Sequence, residues 1–172
     1  YLSAPEVITC CIRALSHENP LVRIGAAKSL GRLGTGAGEE HLLKALERED
    51  DPAVISEVIA ALGKVSDSSR IPVLMKFLQH VDLRVQANAI ESLAAIGTVE
   101  VIPAIEPFLR SSDNRVKANA AVACWVGGSL DVVHNLRDML DNPNQKQRSS
   151  AIYAIGEVGT SLSKLANVPR YL

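Results

Sequence analysis

Residues 52–66, PAVISEVIAALGKVS, decide the fold, because the same phrase returns in four other places. It stands as NPLVRIGAAKSLGRLG at Asn19–Gly34, DLRVQANAIESLAAIG at Asp82–Gly97, DNRVKANAAVACWVGG at Asp113–Gly128 and NQKQRSSAIYAIGEVG at Asn144–Gly159. Val22, Val54, Val85, Val116 and Gln147 share a first column, at spacings of 32, 31, 31 and 31. Four positions on come Ala26, Val58, Ala89, Ala120 and Ala151, and eight on come Leu30, Leu62, Leu93, Cys124 and Ile155. Eleven on stand Leu33, Val65, Ile96, Gly127 and Val158. Offsets of 0, 4, 8 and 11 fall on one stripe of a 3.6-residue helix, so these columns predict its buried face.

Start and stop signals repeat in phase. Asn19, Asp51, Asp82, Asp113 and Asn144 each precede the first column by three residues, and all are N-cap types. Gly34, Ser66, Gly97, Gly128 and Gly159 close the phrases, as helix stops do. A preceding helix has its own columns, Leu15, Leu46, Leu78, Leu109 and Leu140, with Cys11, Leu42, Leu74, Ile105 and Leu136 four earlier. Pro72 and Pro103 follow Ile71 and Ile102, where a first-turn proline removes no intrahelical bond. The expected first helices are 4–17, 38–49, 69–80, 99–110 and 129–141, and the second helices 20–34, 52–66, 83–97, 114–128 and 145–159. Five two-helix repeats follow, near 4–34, 38–66, 69–97, 99–128 and 129–159, read as one domain. Leu162, Leu165 and Leu172 suggest that residues 160–172 cap the last repeat or begin another.

Composition agrees with helices. Of the 172 residues, 47% are hydrophobic and only 3% aromatic, which favours close helix packing over a sandwich or barrel. The net charge of −1 gives no general attraction to nucleic acid or anionic lipid. No run of about 18 apolar residues reads as a membrane span. The chain begins at Tyr1 and carries no leader pattern, so it reads as a piece of a longer, cytoplasmic protein. Cys10, Cys11 and Cys124 fall in apolar helical phrases and read as buried thiols in a reducing compartment.

One hairpin of about 31 residues cannot bury its stripe alone, whereas stacked hairpins can. The expected fold is therefore all-α, a right-handed α-solenoid. The phrase D/N-x-x-V-R/K-x-x-A-x-x-x-L-G-x-L-G, as in NPLVRIGAAKSLGRLG, resembles HEAT repeats. More narrowly it resembles the short HEAT-like repeats of phycobilin lyase subunits, over about Pro5 to Gly159. Cys124-Trp125-Val126-Gly127 and Gln147 depart from that wording.

Catalytic chemistries find little support. Gly31, Gly34, Gly36 and Gly38 lack the strand or the G-K-[ST] of a phosphate loop and read as a helix stop. His17, His41, His80 and His134 have no second ligand at metal spacing, and His17 and His80 suit turn positions. Glu47–Asp51 reads as a solvated turn. HEAT-repeat iron hydroxylases place His-Glu pairs inside the second helix. The matching positions here are Ile24-Gly25, Ser56-Glu57, Ala87-Asn88, Ala118-Asn119 and Ser149-Ser150, so that metal set is missing. No cofactor, metal site or catalytic residue is expected.

The resemblance implies that second helices line a concave face. Offsets 3, 6 and 10 would then present Lys28 and Arg32, Lys64, Asn88 and Glu91, Asn119, Val122 and Val126, and Tyr153. The surface runs from a basic N-terminal end to an apolar C-terminal end. Trp125 occupies a column otherwise held by Gly31, Gly63, Ala94 and Gly156. It either projects beside the apolar patch, as a binding anchor would, or packs into a groove vacated by Gly127. Arg23, Lys117 and Arg148 form a further column, expected to pair with capping carboxylates of neighbouring repeats. The reading is a non-catalytic scaffold for a protein or peptide, with Val122, Trp125, Val126 and Tyr153 as apolar anchors. The alternatives are a lyase-like subunit handling a tetrapyrrole and a weak nucleic-acid binder using Lys28, Arg32 and Lys64.

Overall fold

The computed structural model describes residues 3–97, 99–129 and 131–166, with side chains as far as residue 160 at the C-terminal end. Among the described residues the chain is all-α, with ten α-helices, short 3-10 turns and no strands. It divides into two compact units, Tyr1–Gly97 and Thr98–Leu172. The first holds three hairpins, α1 (Ala4–Ala14) with α2 (Pro20–Leu33), α3 (Glu39–Arg48) with α4 (Pro52–Val65), and α5 (Ile71–Met75) with α6 (Leu83–Ile96). The second holds α7 (Ile102–Ile105) with α8 (Asn114–Val126), and α9 (Val132–Leu140) with α10 (Gln145–Ala166). Each is a solenoid-type stack. In the first unit α2 packs on α4 and α4 on α6, and in the second α8 packs on α10.

Local signals fix the helix starts. All five expected caps accept first-turn amides: Asn19 from Leu21 N–H (2.9 Å), Asp51 from Ala53 (2.8 Å), Asp82 from Arg84 (2.8 Å), Asp113 from Arg115 (3.0 Å) and Asn144 from Lys146 (2.9 Å). Each such bond satisfies a donor the helix cannot, worth about 1 kcal/mol. Gly34 and Gly97 end α2 and α6 in the left-handed conformation, at φ 64° and 79°. Gly159 does not end α10, which runs on to Ala166. Glycine permits a stop without compelling one, and here the backbone keeps its helical course. Leu162, Leu165 and Leu172 lie outside the residues whose side chains are described.

The first helices of repeats three and four tighten midway, α5 into a 3-10 stretch over Lys76–Gln79 and α7 into one over Glu106–Arg110. Pro107 removes an amide donor inside the second of these, so continuation as α-helix would lack a bond there. Leu42, Leu74, Leu78, Ile105 and Leu109 are buried as the first-helix columns require. Leu140 is instead 37% exposed, and Met139 takes the buried place beside Leu136 and Val132. The core columns Val54, Val58 and Leu62 of α4, with Val85, Ala89 and Leu93 of α6, are fully buried. Each large aliphatic there contributes about 2 kcal/mol by leaving water.

Small residues set how closely neighbours approach. A Cβ built on Gly31 of α2 would lie 2.9 Å from Ala61 Cα, and one on Gly63 of α4 2.5 Å from Ser92 Cβ. The column with the fewest side-chain atoms is thus where α2 meets α4 and α4 meets α6.

Candidate protein-interaction surface

Two columns of the second helices stay open. Offset 6 holds Lys28, Ala60, Glu91, Val122 and Tyr153, and offset 10 holds Arg32, Lys64, Ala95, Val126 and Glu157; none of the ten is buried. Offset 3 behaves differently. Asn88 is 7% exposed, and its amide donates to the Ser56 carbonyl and hydroxyl, both at 2.8 Å. Asn119, in the same column, is 5% exposed. The expectation that these asparagines face a partner is corrected: offset 3 lies in the seam between second helices, where Asn88 clamps α6 to α4. Nearby, Ser92 Oγ donates to the Ile59 carbonyl (2.9 Å), a second polar tie across the same seam.

In the first unit the open columns carry charge. Lys28 pairs loosely with Glu57 at 3.6 Å, and Arg32, Lys64 and Glu91 are exposed. In the second unit three of the four are apolar or aromatic, with Glu157 the exception: Val126 is 55% exposed, Tyr153 is 50% exposed and Val122 is half-buried. Trp125 is half-buried too. The space left by Gly127 is taken by Ile102, whose Cγ1 would lie 2.5 Å from a Cβ there, so Trp125 does not occupy that groove.

The turns ahead of the second helices show order that the sequence reading missed. Five residues before the first column stand His17, Glu49, His80, Ser111 and Asn142. Each accepts the backbone N–H of the N-cap residue two positions on: His17 Nδ1 from Asn19 (3.0 Å), Glu49 Oε1 from Asp51 (3.1 Å), His80 Nδ1 from Asp82 (3.0 Å), Ser111 Oγ from Asp113 (3.2 Å) and Asn142 Oδ1 from Asn144 (2.9 Å). Four residue types perform one task, so a search for a repeated letter passes over it.

The basic column also acts on these turns. Arg23 donates to both Glu49 oxygens (2.7 and 2.9 Å) and to the His17 and Glu18 carbonyls (2.8 and 2.9 Å). Arg148 donates to the Asn142 and Pro143 carbonyls (2.9 and 2.7 Å), and Gln86 reaches the Leu78 carbonyl (2.8 Å). For Arg23 and Arg148 the expected pairing with cap carboxylates is therefore corrected: their acceptors are turn carbonyls and Glu49, which precedes the Asp51 cap. Glu49 is no solvated turn residue. Burial works against its charge, but the hydrogen bonds from Arg23 and Asp51 N–H outweigh it and hold the carboxyl below the usual range. The Arg84 guanidinium, at 2.8 Å, holds Asp82 down at about 2 against the opposing effect of burial.

The remaining reactive groups are dispersed. Cys10 is exposed and Cys11 half-buried, correcting the expectation of three buried thiols. They lie on α1, whose described residues include no buried position. Cys124 is buried, and burial, with the Glu106 charge, pushes its thiol up to about 11. Among the described residues no group of three or more His, Cys, Asp or Glu could hold a metal, and no helix is long and apolar enough to cross a membrane. An open groove of about 420 Å³ in the second unit is lined by Pro103, Glu106, Pro107, Leu109, Arg110, Ser129, Asp131 and Asn135.

Repeated hairpins, in-phase caps and a close-packed small-residue seam define the class, and family models agree. One described as HEAT repeats matches residues 39–125, just over half of the chain, and one described as HEAT repeat matches residues 7–37. The chain belongs to the HEAT-repeat family. Among solved structures it is similar to a chain of the complex of CpcE and CpcF of phycocyanin lyase from Nostoc, with 22% identity over 98% of this chain and 82% of that one, at a TM-score of 0.58. It is also similar to an engineered protein, with 22% identity over 94% and 90% of the two chains, at a TM-score of 0.52. Human deoxyhypusine hydroxylase covers 92% of this chain and 86% of its own, with 13% identity and a TM-score of 0.50. These likenesses concern the fold. No curated protein sequence matches the chain.

Proposed function

We propose that this chain is a non-catalytic scaffold that holds a protein or peptide partner along the open columns of its second helices. One observation carries the reading: offsets 6 and 10 remain accessible in all five repeats, while offset 8 between them is buried in the first four. Within each unit, side chains held on packed helices present a surface whose ordering cost is met at folding, before any partner arrives. In the first unit Lys28, Arg32, Lys64 and Glu91 would set register through polar contacts. In the second, Val122, Trp125, Val126 and Tyr153 would be the apolar anchors. The net charge of −1, and the acids Glu57 and Glu91 among the basic residues, disfavour nucleic acid.

The test is partner capture with two double variants, Lys28→Glu with Arg32→Glu and Val126→Glu with Tyr153→Ala. A control variant changes Lys44, exposed on α3. Capture lost from either double variant but kept by the control, at unchanged helicity, supports the scaffold. Capture indifferent to both would remove it.

A further inference from the structure

A serine in the first repeat is held by an arginine of the second. Ser16 lies exposed in the turn after α1, where its backbone N–H donates to the Arg13 carbonyl (3.2 Å). Arg48, in the last turn of α3, donates from Nη2 to Ser16 Oγ at 2.6 Å. Arg13 stands in the last turn of α1, one turn before the serine. Arg23, Arg70 and Arg84 each face a carboxylate. Among the described residues no carboxylate comes within salt-bridge distance of Arg13 or Arg48. A hydroxyl makes poor use of a guanidinium, whose five donors form a fork suited to phosphate or carboxylate.

The local sequence adds a second observation. In Arg13-Ala14-Leu15-Ser16 an arginine precedes a serine by three residues. Basophilic protein kinases, whose peptide clefts carry carboxylates, take serine at this spacing. The segment can also yield to such a cleft. No residue of α1 is buried, and in Arg13–Ser16 only Leu15 is, so local opening gives up little packing. Thr35 supplies an internal comparison. It is exposed and follows Arg32 by three residues, but among the described residues no side chain bonds its hydroxyl.

We infer that Ser16 is a phosphorylation site for a basophilic serine kinase, and that Arg48 receives the phosphate and fastens the first repeat to the second. The kinase moves the γ-phosphoryl group of ATP to Ser16 Oγ. A P–O bond to serine forms, the bond to the ADP leaving group breaks, and the hydroxyl proton passes to the kinase's catalytic aspartate. The product carries a charge of about −1.5 to −2 and three strong acceptor oxygens. Arg48 then exchanges one bond to a neutral hydroxyl for a forked pair with an anion, and Arg13 supplies a second cation. Glu18 and the carbonyl end of α1 oppose the phosphate, the helix end with about half a negative charge. Two full positive charges, one already in contact with Ser16 Oγ, outweigh them. Ser16 and Arg48 lie off the open columns, so the test stands independently of the scaffold reading.

The experiment treats the full chain with the kinase domain of a calmodulin-dependent protein kinase and ATP, and maps phosphate by mass spectrometry. Amide hydrogen exchange then reads the hold on α1. Phosphate is expected on Ser16, with exchange across α1 slowed about fivefold or more. Arg13→Ala should lower the rate of Ser16 phosphorylation about tenfold, through loss of recognition. Arg48→Ala should not lower that rate but should remove the slowed exchange. A chain made with phosphoserine at position 16 reads the Arg48 effect without the kinase. Phosphate absent from Ser16, or placed on Thr35 alone, overturns the proposal. So does exchange in α1 that phosphate leaves unchanged or speeds, and so does slowing that survives Arg48→Ala.

Discussion

Glycine-to-alanine substitution in one column should have opposite signs in two repeats. Gly63 and Gly156 occupy equivalent places inside α4 and α10, and alanine in a helix interior gains about 1 kcal/mol over glycine. At Gly156 nothing stands in the way, so Gly156→Ala should stabilise by roughly that amount. At Gly63 the new methyl would lie 2.5 Å from Ser92 Cβ and Oγ and 2.7 Å from its Cα. Ordinary carbon contacts need about 3.5–4.0 Å, so α6 must retreat by about 1 Å. Overpacking of this kind costs about 1–3 kcal/mol, and retreat also stretches the Ser92–Ile59 bond, worth about 1 kcal/mol. Subtracting the helix gain leaves Gly63→Ala destabilised by about 2 kcal/mol, so the two variants should differ by roughly 3 kcal/mol. In a domain of this size that difference separates their melting temperatures by roughly 6–12 °C, read by circular dichroism. Equal stability of Gly63→Ala and Gly156→Ala would falsify the idea that the seam between α4 and α6 is closed to a single methyl.

Arg23→Ala should cost about 2 kcal/mol in urea denaturation, because it strands the largely buried Glu49 and frees two turn carbonyls. Arg84→Ala, which cuts a more exposed pair, should shift the urea midpoint far less than Arg23→Ala does. Asp82, with a folded-state value of about 2 against an ordinary 3.8, stabilises the fold fully above pH 3.8 and loses that contribution as pH falls towards 2. Solvent screening by the exposed Arg84 side leaves about 1 kcal/mol, so the stability advantage over Asp82→Asn should shrink across that window by this amount. Thiol labelling of the native chain should modify Cys10 first, Cys11 more slowly and Cys124 only on unfolding; prompt labelling at Cys124 would contradict its burial and raised thiol.

The period of the sequence made most of the fold legible. Asn19, Asp51, Asp82, Asp113 and Asn144 announced the helix starts because capping depends on the local chain alone. Asn88 was misplaced for a related reason. Its offset lies away from the stripe that faces the hairpin's own first helix, and a single-helix projection cannot show that the next repeat buries it. Leu140 and Met139 exchanged places because adjacent apolar residues give the pattern no means of choosing between them. The open columns at offsets 6 and 10 were visible from periodicity, because their accessibility follows from the helical period of each second helix.

The turn acceptors His17, Glu49, His80, Ser111 and Asn142 have a bearing on how such arrays diverge. What the five turns share at that place is a lone pair within reach of one amide, and any side chain that supplies it meets the requirement. Imidazole, carboxylate, hydroxyl and carboxamide are therefore interchangeable there as geometry, while differing in charge and titration. A lineage can retune the electrical character of each turn without loosening the brickwork, so the bends between helices are where new chemistry can enter this architecture at least structural risk.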